Sequence, residues 1–168
     1  MGVNLLRFAL WLRNNTLPKA AIITGQHNTF ADRFAHRERL HGVYMGFANK
    51  PDAFDAFLAK HGLEADEVAF VFDDAIDLPV AARCGFRVLI GSPATTWFVE
   101  QVVERGEADL VTANSGGQNG LREATDALIA LLGNGAEVIA HRAGFTETYQ
   151  RYLAKRQAVE PEVVRNGR

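Results

Sequence analysis

Residues 68–74, Val68-Ala69-Phe70-Val71-Phe72-Asp73-Asp74, set the strongest limit on what this chain can fold into. Five apolar residues closed by charge read as a strand buried on both faces, the habit of parallel sheets covered by helices. Two carboxylates at its carboxyl end would lie in the crevice where open α/β sheets bind ligands. Adjacent like charges repel, so such a pair calls for a cation or a basic side chain. Carboxylate oxygens suit Mg²⁺. The alternative is that Asp73 and Asp74 only end the strand, with Asp74 or Asp77 capping the next helix. The residues alone leave both open.

The rest of the chain repeats that unit. Residues 3–14 read as a helix, and Ala20-Ala21-Ile22-Ile23 as a strand ending at Thr24-Gly25. Residues 29–40 form an amphipathic pattern with Phe30 and Phe34 four apart. A strand over 42–47 follows, then a helix starting near Pro51 with Phe54, Phe57 and Leu58 on one face. Beyond 68–74 come a helix over 78–84, a strand over 87–90, a helix over 95–105, a strand over 110–112 and a helix over 119–132. This alternation predicts an α/β fold: a three-layer, open, mostly parallel sheet with helices on both faces. The short interval from Thr24 to Lys50 leaves no room for a cap domain. Residues 1–133 are expected to form the core, and 134–168 a helical extension and tail. One more helix is expected over 145–157, and the last ten residues are expected to fray.

Composition narrows the function. The 168 residues carry a net charge of −2 and 48% hydrophobic residues, so neither nucleic acid nor a membrane is an expected partner. No apolar stretch reaches the roughly 20 residues of a spanning helix. Residues 5–12 are interrupted by Arg7 and lack a small-residue cleavage site, so they read as a packed helix rather than a leader. The single Cys84 fits a reducing compartment and a cytoplasmic protein.

Three strand ends then carry chemistry. Thr24 and Gly25 offer a hydroxyl and backbone N–H groups at a turn, a setting that holds phosphate oxygens. Lys50 lies just past the second strand at a helix start, and Asp73, Asp74 and Asp77 close the third. Taken singly, each is an ordinary turn or surface residue. In this order they read as a phosphoryl-transfer site.

At this point the chain resembles the haloacid dehalogenase superfamily, and within it the capless 3-deoxy-D-manno-octulosonate 8-phosphate phosphatase family. Ala21-Ile22-Ile23-Thr24-Gly25 is similar to its second motif, Asn49-Lys50 to its lysine motif, and Phe72-Asp73-Asp74-Ala75-Ile76-Asp77-Leu78-Pro79 to its acidic motif. Gly116-Gly117-Gln118-Asn119-Gly120-Leu121-Arg122-Glu123 resembles its glycine-rich loop entering a helix. The resemblance implies that Thr24, Gly25 and Lys50 bind phosphate, with Lys50 also catalytic. It implies that Asp73 ligates Mg²⁺, with Asp74 and Asp77 ordering the metal site, and that the protein is a homotetramer acting on a small phosphorylated metabolite.

The family's Asp-x-Asp-Gly nucleophile motif does not precede Thr24, and residues 1–18 hold no Asp or Glu. In that fold the nucleophile strand lies between the strands ending at Thr24 and Asp74. Either those strands pair directly or the native chain is longer; residues 1–6 resemble the segment that follows the motif. Two functions stay open: a Mg²⁺-dependent phosphatase whose chain extends upstream, and a pseudophosphatase that binds without turnover. A receiver-type signalling domain is disfavoured, because receivers place their acidic pair first. Phe72, in the place of a glycine, is expected to crowd the metal crevice. Gln26-His27 and Gln118-Asn119 stand where the family often has arginine, which weakens recognition of an octulosonate. Finally, Phe145, Tyr149 and Tyr152 are expected at an interface between copies, the alternative being that their helix folds back on its own sheet.

Overall fold

The structure is a computed structural model that describes residues 2–166. It divides into two compact units, residues 1–47 with 125–168, and residues 48–124. Both are built from parallel strands flanked by helices, as the alternation predicts.

In the first unit, β1 (Ala21–Thr24), β2 (Gly42–Met45) and β6 (Glu162–Arg165) form a parallel sheet in the order β1-β2-β6. Its register aligns Thr24 with Met45 and Met45 with Arg165. Helix α2 (Thr29–Glu38) starts where the Asn28 side chain accepts from the N–H groups of Phe30 and Ala31. It stops at Arg39, which takes the left-handed conformation. Ala35, Leu40, Val43 and Met45 pack between helix and sheet with Phe34, while Phe30 is 79% exposed. Only one of the two phenylalanines on that helix therefore serves the core.

A second core of this unit joins α1 (Gly2–Asn14), α6 (Gly120–Leu132, from residue 125 on), α7 (Gly135–Ala143) and α8 (Glu147–Gln157). Phe8, Trp11, Tyr149 and Tyr152 fill it, with the Phe8 and Tyr149 rings edge to face at 5.0 Å. The Tyr152 hydroxyl donates to Asn4 Oδ1 at 2.8 Å, and the Asn4 amide donates to the Tyr149 hydroxyl. Tyr149 and Tyr152 are thus interior residues, not the surface aromatics expected of an interface; of that trio only Phe145 is exposed. Residues 162–165 of the tail are paired rather than frayed, β6 running along β2, while residues 167–168 lie outside the described residues.

Charge is buried here as well. Arg7 donates to the backbone carbonyls of Glu38 and Arg39, and Arg156 to the carbonyl of Arg37 and to Glu38 Oε2. Both guanidiniums thus cap the carboxyl end of α2, where orphan carbonyls and the negative end of the helix dipole favour cations.

The second unit holds β3 (Ala69–Phe72), β4 (Phe86–Leu89) and β5 (Leu110–Val111) in the order β3-β4-β5, all parallel. Helices α3 (Lys50–His61), α4 (Leu78–Ala81) and α5 (Thr96–Glu104) accompany them. Pro51 sits in the first turn of α3 and Gly62 ends it in the left-handed conformation. Phe72, Ala81, Leu89 and Val102 form the core. Phe72 points into that core, stacked on Phe70, instead of crowding the acidic crevice. Cys84 is buried, and burial pushes its thiol up to about 11, as for a small core residue.

The described strands thus form two parallel sheets, and the alternative in which the strands ending at Thr24 and Asp74 pair directly is not observed. β1 and β3 each end their own sheet, and they do not pair with each other. No strand among the described residues pairs with the outer edge of either.

Candidate functional site

Because β3, β4 and β5 are parallel, the loops after them emerge at one edge of the second sheet: residues 73–77, 91–95 and 112–119. Helix α3 begins at the same edge, and its first residue is Lys50. The side chain of Lys50 is buried, and its ammonium donates to Asp77 Oδ1 at 2.5 Å. Asp77 is itself only 4% exposed. Burial pushes the Asp77 carboxyl above the usual carboxylate range; the Lys50 charge opposes that shift, while Asp73 and Asp74 reinforce it. The pair is a desolvated cation and anion, held where an α/β sheet takes its ligands.

The acidic run divides into three roles. Asp74 caps the turn that follows, its Oδ1 accepting from the N–H of Ala75 at 2.6 Å, so the capping alternative applies to this residue. Asp77 serves Lys50 and does not cap α4. Asp73 is exposed at the strand end. Among the described residues, no three His, Cys, Asp or Glu side chains are grouped to hold a metal ion. A Mg²⁺ ion bound through Asp73 would take its other oxygens from water and from a ligand phosphate, a coordination that suits this ion.

In the first unit, Thr24 ends β1. Its hydroxyl donates to the carbonyl of Gln26 and accepts from the Gln26 N–H, closing a small turn through half-buried Gly25. The structure therefore brings Lys50 and Asp77 together with Asp73 at one strand edge, and sets Thr24 and Gly25 at the strand edge of the other unit.

One arrangement was not readable from the sequence. Glu123, in the first turns of α6, accepts from the N–H groups of Ala113 and Asn114 and from the Asn114 side-chain amide, each at 2.8 Å. Those bonds hold its carboxyl below the usual glutamate range. The buried Thr112 hydroxyl ties the same loop to the end of β4, accepting from the Gly91 N–H and donating to the Asn114 carbonyl. Gly120 packs so closely that a Cβ there would sit 2.4 Å from the Asn114 oxygen. The Gly-Gly pair and the Arg-Glu pair in the sequence mark this loop, but the path that joins them is tertiary.

With this fold, the chain belongs to the haloacid dehalogenase superfamily. Its relatives by sequence are the 3-deoxy-D-manno-octulosonate 8-phosphate phosphatases. The Salmonella typhi enzyme is 34% identical over 116 residues, which cover 68% of this chain and 57% of that protein. The chain thus spans a little over half the length of the curated relatives it matches. Among solved structures, a superfamily (subfamily III A) hydrolase from Legionella pneumophila superposes with a TM-score of 0.65 at 29% identity, covering 91% of this chain and 71% of that one. The Moraxella catarrhalis 3-deoxy-D-manno-octulosonate 8-phosphate phosphatase, solved with magnesium, phosphate and the sugar acid, gives 0.64 at 25% identity, covering 83% and 73%. No family model matches the sequence. No helix of the described residues is long and apolar enough to cross a membrane.

Proposed function

We propose that this chain is the phosphate- and Mg²⁺-binding part of a phosphatase acting on a small phosphorylated sugar or sugar acid, with 3-deoxy-D-manno-octulosonate 8-phosphate the leading candidate. The observation that carries this proposal is the buried Lys50–Asp77 pair beside Asp73 at a parallel-sheet edge. An ammonium held without water around it interacts strongly with a phosphate oxyanion, and Asp77 keeps it aimed. Lys50 is then the catalytic cation. Thr24 and Gly25 supply the hydroxyl and turn that the resemblance assigns to phosphate. Asp73 would hold Mg²⁺, which supplies charge neutralisation when bound; Asp74 orders the turn behind it.

Covalent phosphoryl transfer of this type needs an attacking carboxylate. The first acidic residue in the sequence is Asp32, beyond Thr24 and inside α2. The attacking group is therefore expected from residues outside these 168, in a cytoplasmic homo-oligomer. A binding protein without turnover is the second reading, which applies if no attacking carboxylate is supplied.

Turnover by the complete gene product separates the two. The phosphatase reading expects Mg²⁺-dependent phosphate release from 3-deoxy-D-manno-octulosonate 8-phosphate, with at least a hundredfold loss in Lys50→Ala. An in-frame stop codon just upstream of Met1, together with no release, would overturn it. Mg²⁺ titration of Asp73→Asn tests the metal role, and unchanged affinity would remove Asp73 as a ligand.

A further inference from the structure

We propose that Glu123 is a positioning residue, which fixes the loop of residues 113–119 so that its glycines meet the end of the substrate remote from phosphate. The proposal deepens the phosphatase reading and rests on it.

The loop is exposed from Ala113 to Asn119, apart from half-buried Ser115, so the core of the unit gains little from ordering it. It is nonetheless tied down by several independent bonds. The Glu123 carboxylate takes two backbone N–H groups and one side-chain amide, and Thr112 links the loop to Gly91. This is not ordinary helix capping. A capping-box glutamate reaches the N–H of its own N-cap, three residues back. Glu123 reaches nine and ten residues back, past Asn119 to the far side of the loop.

The glycines point to a ligand. Gly116 and Gly117 are not among the residues with positive φ, and a Cβ at either would meet nothing within 4 Å. Neither conformation nor packing requires glycine there. The remaining use of a bare backbone is close approach by another molecule. The open space lies on the ligand-binding edge of the sheet. β5 is two strand positions from β3, roughly 10 Å from the end that carries Asp73. That span matches an eight-carbon sugar acid whose phosphate sits beside Lys50 and whose carboxylate and hydroxyls reach the loop.

The test uses two probes on the intact chain: orthophosphate with Mg²⁺, and the free sugar acid 3-deoxy-D-manno-octulosonate without phosphate. Amide exchange of Ala113 and Asn114 reads the loop directly. In Glu123→Ala, those two amides should exchange at least tenfold faster and sugar-acid affinity should fall at least tenfold, while orthophosphate affinity stays unchanged. Glu123→Gln keeps one acceptor oxygen and should fall between Glu123→Ala and the unmodified chain in both readouts. Faster exchange with unchanged sugar-acid affinity would make Glu123 merely structural and overturn the proposal. So would unchanged exchange, or an unmodified chain that binds orthophosphate but not the sugar acid. An unmodified chain that binds no orthophosphate overturns the phosphatase reading itself, a different result.

Discussion

Each unit buries one group of opposite charges, and the two groups are placed differently. In the first unit, Arg7 and Arg156 turn their donors onto the backbone carbonyls that end α2, with Glu38 between them, just before the chain enters β2. That group closes a helix and joins α1, α2 and α8. In the second unit, Lys50 has a single partner among the described residues, Asp77, and the pair sits at the carboxyl edge of the strands. An ammonium has three donors, so Lys50 retains capacity for a ligand. Buried charge at a helix end answers the helix dipole; a buried pair at a strand-end crevice is a candidate for chemistry.

That contrast can be broken by substitution. The largest effect is expected in the first unit: Glu38→Ala leaves the buried Arg156 guanidinium without its carboxylate and should cost about 3–5 kcal/mol. Urea unfolding measures this, and orthophosphate affinity of the folded chain should not change. A loss of affinity would mean the two groups are not separate in function.

Lys50→Met comes next, at about 3 kcal/mol near neutral pH, since it leaves Asp77 buried and unpaired. The sign with pH follows from Asp77, whose folded pKa lies above its unfolded value of 3.8. Such a group favours the folded state below 3.8 and loses that contribution as pH rises through the folded pKa. Without Lys50 the folded pKa climbs further, so the penalty should be small near pH 4 and grow toward pH 7. A penalty independent of pH would show that Asp77 is not the group left unpaired.

The Glu123 clamp should run the other way. Its folded pKa is depressed, so the loop stays ordered above the unfolded value and loosens as pH falls through the folded one. Amide exchange of Ala113 and Asn114 should accelerate only below the ordinary glutamate range. The smallest expected effect is Thr24→Val, which removes the turn bonds to Gln26 and should cost about 1 kcal/mol.

The fold was legible where pattern alone decides it. Apolar runs alternating with helical segments gave the parallel strands, and Pro51 marked the start of α3. What was missed depends on neighbours far along the chain. Tyr149 and Tyr152 have the spacing of an exposed aromatic stripe, and nothing local shows that Phe8 and Trp11 cover them. β6 is four residues beside Pro161, half-buried and charged at both ends, too short to announce itself before β2 pairs with it. The site residues were legible as residue types at strand ends, but their partners were not. Asp77 was read only as ordering a metal site, and its pairing with Lys50, 27 positions away, was not foreseen.

Orthophosphate binding in the presence of Mg²⁺, followed by calorimetry on the unmodified chain and on Lys50→Ala with retained helical circular dichroism, tests the central claim most directly. The Lys50–Asp77 pair as ligand site requires at least a tenfold loss of affinity in Lys50→Ala, and no loss in Glu38→Ala. Equal affinity in Lys50→Ala and the unmodified chain would contradict it.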